Sequence, residues 1–448
     1  MMAIKLRRYQ PSPPQILTIG FAAIILLGAI LLTLPAASAA HEPTPFLDAL
    51  FTSTSAVCVT GLAVVDTGTH WSLFGEIVIM LLVQVGGLGF MTMATLFALV
   101  LRRRISLRDR LVLQEAMNQS NMEGIVRLIR KVAIYSIIIE GIGALLFFLY
   151  WSIKLPLGQA AYYSVFHSIM LFNNAGFDLM GGFKSFIPYV DSPLINLVSM
   201  LLIILGGLGF VVLSDLLDWK GNRRGLALQS KVVLSITAFL LLFGALIIFI
   251  FEYTNTRTLG SLDGTAKIWS AFLQSVTTRS GGISTIDIAE LRQASSFFII
   301  ILMFIGAAPG STGGGIKVTT FAVLIGAMFA MLRGRQDIVL FRYRLPQERI
   351  LKAVTITLFS LMLVIFVTMV LSTTEDQPFI KILFETVSAF ATVGLSMGIT
   401  PELTWIGKIM IILTMYAGRL GPLTLTYGLG LKNEKELYRH PEGKITIG

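Results

Sequence analysis

Apolar residues run along this chain in blocks too long and too uniform for the one-sided helices of a water-soluble fold. Four blocks near twenty residues, 14–34, 131–153, 231–251 and 350–371, are long enough to cross a bilayer as helices. Each is followed by a shorter apolar stretch of about a dozen residues: 46–58, 160–172, 266–278 and 379–391. Stretches of that length are too short to span and suit re-entrant segments. A second long apolar block then follows: 74–100, 194–217, 296–332 with an interruption, and 404–430. The pattern predicts one unit, helix–half-helix–loop–helix, written four times.

Small motifs keep the same rhythm. VTGL (59–62), NAGF (174–177), SGGI (280–283) and TVGL (392–395) each close a half-helix, with their glycines 115, 106 and 112 residues apart. A phenylalanine stands ten residues before each glycine, at Phe51, Phe166, Phe272 and Phe384. A large apolar residue follows each one: Leu62, Phe177, Ile283 and Leu395. A second glycine cluster trails each motif: GGLGF at 86–90 and 206–210, GAAPGSTGGG at 306–315 and GRLGPL at 418–423. Internal repeats of this kind define the units 1–120, 121–225, 226–340 and 341–448.

Composition agrees: 55% of the 448 residues are hydrophobic and 13% charged, where soluble domains carry roughly a quarter. Of the 35 Lys and Arg, 25 fall at the termini and in the segments after each second block, such as RRRISLRDR (102–110) and RGRQDIVLFRYR (333–344). The positive-inside rule makes that side cytoplasmic, so eight spans put both termini inside. The net charge of +10 is thereby a matter of topology and not of nucleic acid. The N-terminal Lys5, Arg7, Arg8 and apolar run imitate a signal peptide, but the run is long enough to span and the repeat needs it. One cysteine, Cys58, allows no internal disulfide, and four scattered histidines give no metal centre.

Non-helical backbone at membrane depth is tolerated where it is buried or lines a wet cavity. Four such loops around one axis could replace a cation's water shell with backbone carbonyls, and the half-helices would aim their negative C-terminal ends at it. Glycine suits the torsions such a loop needs. In the third unit, Gly306, Pro309, Gly310, Gly313, Gly314 and Gly315 cannot continue a helix, so this segment, with Ser311 and Thr312, reads as a two-state gate in a polar cavity. It is not a Walker loop, because Lys317 follows Ile316. Arg419 falls mid-helix in the fourth unit, where a charge is functional by default, with Glu140 as a candidate partner. No catalytic constellation is present; His167 is read as a brace for a half-helix.

SAVCVTGLAVVDTGTHW (55–71), LVQVGGLGFMT (82–92), FNNAGF (172–177), GSTGGGIKVTTF (310–321), SAFATVGL (388–395) and GRLGPLT (418–424) resemble the Trk/Ktr/HKT superfamily of potassium transporters, most closely its bacterial Ktr membrane subunits of the KtrB/KtrD type. The resemblance covers nearly the whole chain. It implies an all-α membrane protein of eight transmembrane helices, as four fused helix–pore-loop–helix repeats around one pseudo-four-fold pore in a bacterial cell membrane. It implies a selectivity filter of Val59-Thr60-Gly61, Asn174-Ala175-Gly176, Ser280-Gly281-Gly282 and Thr392-Val393-Gly394, holding potassium on its carbonyls. Glycine at all four final positions resembles the potassium-selective members; the third loop departs from the commoner alanine–glycine–phenylalanine ending. The family's intramembrane gating loop maps to 306–315, with Lys317 nearby and Arg419 as an electrostatic barrier. The resemblance further implies a homodimer joined through 438–444, membrane lipid around it, and a cytoplasmic RCK-type ring subunit (KtrA/KtrC-like) that binds ATP or ADP. No cofactor is expected on this chain, and sodium dependence is known in the family. The rival reading is an alternating-access secondary cation transporter, which predicts inverted repeats and membrane-buried carboxylates.

Overall fold

The structure is a computed structural model that describes residues 12–101, 105–116, 124–219, 225–335, 337–421 and 424. The two termini, including the tail 438–444, lie outside the described residues. The first unit contains α1 (Pro13–Thr33), α2 (Phe46–Val57), the short α3 (Thr67–His70), α4 (Leu73–Leu88) and α5 (Phe90–Val100), then α6 (Leu107–Ala116). The second has α7 (Ile125–Trp151), α8 (Leu157–Phe172), α9 (Pro193–Gly207) and α10 (Phe210–Trp219). The third has α11 (Leu228–Glu252), α12 (Gly264–Thr277), α13 (Gln293–Phe304) and α14 (Val318–Leu332), and the fourth α15 (Gln347–Thr374), α16 (Phe379–Phe390) and α17 (Trp405–Leu420). A two-stranded hairpin, β1 (Val339–Leu340) with β2 (Tyr343–Arg344), joins the last two units and qualifies the all-α expectation.

Four helices (α1, α7, α11 and α15) are long and apolar enough to cross a membrane, or six elements if each bent pair counts as one span. Leu26, Ile30, Leu145, Leu149, Leu246, Ile250, Met362 and Phe366 on these helices are exposed, the pattern of helices facing lipid. The second long helices expected over 74–100 and 194–217 are each broken into two, with bends of 93° between α4 and α5 and of 101° between α9 and α10. Gly89 (φ 82°) and Gly209 (φ 87°) sit at the bends, in a left-handed region that ends a helix and suits glycine. Gly421 (φ 80°) ends α17 in the same way.

The short helices pack inside the long ones through one repeated contact. Ser53 of α2, Ser168 of α8 and Ser275 of α12 donate to the carbonyls of Ile25, Glu140 and Leu241 at 2.7, 2.6 and 2.8 Å. Three residues after each acceptor stands Gly28, Gly143 or Gly244, where a Cβ would lie 2.4, 2.6 or 2.4 Å from the serine Oγ. That contact reveals a slip. Ser53 and Ser168 stand eight residues before their loop glycine, whereas Ser275 stands seven before Gly282. One residue is 100° of helix, so Phe272 is turned outward and is 36% exposed, while Phe51, Phe166 and Phe384 are fully buried. Leu273, fully buried, takes the corresponding place. The phenylalanine landmark therefore holds in three units and not in four. Phe51→Ala should cost about 3–5 kcal/mol by leaving a cavity, and Phe272→Ala less than about 1 kcal/mol. Thermal unfolding in detergent checks this: equal losses would disprove the slip.

Candidate functional site

Each short helix ends and its chain turns back through a left-handed residue. In the first, second and fourth units the amide two residues beyond the helix cap reaches back five positions: Thr60 N to Ser55 O (2.7 Å), Ala175 N to Met170 O (2.8 Å) and Val393 N to Ser388 O (2.9 Å). The residue before it has positive φ in every unit: Val59 at 58°, Asn174 at 60°, Ser280 at 70° and Thr392 at 50°. For β-branched Val59 and Thr392 this is a costly conformation, held only because its surroundings dictate it. In the third unit one residue fewer separates the serine from the loop glycine, which tightens the cap, and Gly281 N bonds Thr277 O at 2.8 Å.

These loops converge. A Cβ on Gly61 would lie 2.0 Å from Ala175 O, one on Gly176 2.6 Å from Gly282 Cα, one on Gly282 2.9 Å from Val393 O, and one on Gly394 2.2 Å from Thr60 O. First touches second, second third, third fourth and fourth first, so the four glycines close a ring. All four have φ between 69° and 89°. The twelve residues Val59-Thr60-Gly61, Asn174-Ala175-Gly176, Ser280-Gly281-Gly282 and Thr392-Val393-Gly394 are thus gathered in one place.

The trailing glycine clusters let the second helices of three units touch the ends of the half-helices. A Cβ on Gly86, Gly206 or Gly418 would lie 2.0, 1.9 or 1.8 Å from the carbonyl of Val57, Phe172 or Phe390. The third unit has an irregular loop between α13 and α14 instead. Its neck is zipped by Gly306 N to Ile316 O (2.8 Å) and Val318 N to Ala307 O (3.3 Å). Its body docks on the bend of the second unit through Ala308 N to Gly207 O (3.0 Å) and Phe210 N to Gly310 O (2.9 Å). Gly314 N donates to Thr392 Oγ1 at 2.9 Å, tying the loop to the fourth glycine loop, and Lys317 Nζ donates to Gly313 O at 2.5 Å. With its amide oriented as its neighbours require, Asn174 accepts from Thr312 Oγ1 at 3.2 Å. Ser311 Oγ folds back on Ala308 O at 2.6 Å.

Arg419 stands in the last turn of α17 and not mid-helix, and it does not meet Glu140. Its guanidinium donates to the carbonyls of Thr312, Gly86 and Gly87, stitching the loop of the third unit to the end of α4. Carbonyls at a helix C-terminus carry the negative end of its dipole, which is why they can hold a cation. Glu140 instead accepts from Gln84 Nε2 and Asn173 Nδ2, each at 3.1 Å. A cavity of about 550 Å³ opens beside the loop, lined among others by Glu115, Pro309, Lys317, Lys352 and Arg419.

His167 is a brace. Nδ1 lies 2.7 Å from Tyr163 O and Nε2 accepts from Leu179 N at 3.3 Å, so the neutral ring ties α8 to the chain beyond its glycine loop. The sequence reading missed Arg279, buried beside Ser280 with Nη2 donating to Gly306 O at 3.3 Å. The rule applied to Arg419, that a charge in an apolar segment has a job, would have found it. It also named one buried acid where there are several. Glu76 accepts from Tyr162 at 2.6 Å, Glu385 from Ser396 at 2.7 Å and from Thr400, and Glu252 from Thr258 at 2.5 Å and from Ser295. Among the described residues no group of three His, Cys, Asp or Glu could hold a metal.

The sequence profile of TrkH, described as a cation transport protein, matches residues 11–429. The chain belongs to the TrkH cation transport protein family. Within that family it is 43% identical over 439 residues to the Ktr system potassium uptake protein B of Bacillus subtilis, covering 98% of this chain and 97% of that one. It is 40% identical to the potassium/sodium uptake protein NtpJ of Enterococcus hirae, covering 98% of each. The fold matches the crystal structure of the potassium transporter TrkH from Vibrio parahaemolyticus with a TM-score of 0.73, at 17% identity, over 95% of this chain and 86% of that one. This TrkH-family chain is therefore a multi-pass membrane protein of a family of cation transporters, not of enzymes.

Proposed function

We propose that this chain imports potassium across a bacterial cell membrane, through a filter made by the twelve residues of the four glycine loops. The closed ring of Gly61, Gly176, Gly282 and Gly394 carries the reading. Four non-helical segments meeting at the ends of four inward-pointing half-helices form the arrangement that can replace a cation's hydration with carbonyls. The four units, bounded near 120, 225 and 340, act as four quadrants of one pseudo-four-fold pore with eight spans and both termini cytoplasmic.

The loop Gly306–Gly315, with Lys317 and Arg419, is the gate in its shut arrangement: three cationic side chains, Lys317, Lys352 and Arg419, border the cavity a cation would have to cross. The names of the relatives support potassium as the ion and leave sodium a place in the cycle. A Ktr "system" also supports a cytoplasmic RCK-type ring subunit that carries ATP or ADP and opens the gate, working on a homodimer of this chain.

Potassium-limited growth and rubidium uptake in a bacterium lacking its own potassium uptake test the proposal, with and without a co-expressed ring subunit. Rescue that strengthens with the ring is expected. No uptake under either condition would sink the potassium assignment.

A further inference from the structure

Three units hold their second helix against the half-helix by direct contact at Gly86, Gly206 and Gly418. The third cannot, because its second helix has already ended at Phe304 and the chain has turned into the intramembrane loop. Gly306, 24 residues after its filter glycine as Gly418 is after Gly394, has its carbonyl taken by Arg279 instead. Arg279 stands in the stretch where the third half-helix is one residue shorter between its serine and its loop glycine, Ser275 to Gly282, than the first two. It is 7% exposed and lies immediately before Ser280. No carboxylate pairs with it among the described residues. Arg279 and Thr237 both line a small cavity of about 10 Å³, and among the described residues neither Arg279 Nη1 nor Thr237 Oγ1 has a hydrogen-bond partner.

A buried guanidinium without a counter-ion is costly, so its one hydrogen bond among the described residues is informative. That link runs to the neck of the loop, where the Gly306 amide already clasps Ile316 on the returning strand. We propose that Arg279 is a positioning residue that pins the neck of the gating loop to the third filter loop and thereby favours the shut gate. Arg419 holds the body of the loop at Thr312; Arg279 holds its root. The inference rests on the reading of the two segments as filter and gate.

Full-length chain in potassium-loaded liposomes, without a ring subunit, provides the test, read as rubidium flux and as rubidium-over-sodium preference. Losing one charge-assisted hydrogen bond should shift the open–shut balance about tenfold. Both Arg279→Lys and Arg279→Gln are expected to raise flux by about that factor with the preference unchanged, since a lysine keeps the charge but not the planar reach to Gly306. In the Arg279→Lys background, a cysteine at position 311 (Ser311→Cys) should react several-fold faster with a thiol reagent than it does beside the native arginine. If Arg279→Lys behaves as wild type while Arg279→Gln conducts more, charge alone matters and the pin is refuted. Loss of ion preference in both would make Arg279 part of the filter and refute it equally. Unchanged or lower flux with unchanged thiol reactivity refutes it also, and covers a variant that folds poorly. Should wild type carry no rubidium, the functional reading falls and takes this inference with it.

Discussion

Gly61→Ser is expected to cut rubidium uptake more than tenfold and to erode the preference for potassium over sodium. Two effects combine. At φ 89° a side chain is strained by roughly 1–2 kcal/mol, and its Cβ would occupy a point 2.0 Å from Ala175 O. That carbonyl belongs to the next loop of the ring, so it must retreat by at least about 1.4 Å to reach ordinary contact. Gly398 separates the two effects: it has the same φ of 89° with no atom within 4 Å of its ideal Cβ. Gly398→Ser should therefore leave ion preference intact. If both substitutions alter preference alike, or neither does, the ring is not the filter.

Arg419→Gln is expected to raise cation flux through the chain alone by about a hundredfold. The arginine supplies hydrogen bonds to Thr312, Gly86 and Gly87. Charge-assisted bonds are each worth about 1.5–3 kcal/mol, and a glutamine can replace one of them, which leaves a loss near 3 kcal/mol and a hundredfold in the open–shut balance. Removing the cation from beside the proposed pathway acts in the same direction. The same liposome flux assay reads it. A flux at or below wild type would show that the bonded arrangement does not hold the gate shut.

The half-helices and their loops were legible because two independent signals coincide there: apolar stretches too short to span, and a glycine after each. The bends at Gly89 and Gly209 were not, because GGLGF is apolar throughout and hydropathy does not register the sign of φ. The slip in the third unit was hidden by Phe272, which keeps the sequence spacing of the landmark while facing the other way. Arg279 and Arg419 share a different obstacle. A search for their partners looks for acids, and both bond to backbone carbonyls, which every residue carries and no pattern of side chains reveals. Glu140 was offered to Arg419 for want of another acid, whereas its actual partners, Gln84 and Asn173, are neutral amides.

The irregular loop 306–315, proposed as the gate, grows from one unit alone. In a pore assembled from four copies of a short chain, any change to the sequence appears at all four corners. An obstruction would then arrive in quadruplicate, and an arginine such as Arg419 would face three images of itself. Fusing the quadrants into one polypeptide removes that constraint. The third quarter could exchange a helix for a loop, lose a residue and gain an arginine, the fourth could acquire the arginine that grips the loop, and the first could offer bare carbonyls to receive it. On the proposed reading, the shut state is a division of labour among four similar parts, available only to a chain in which each quarter can change by itself.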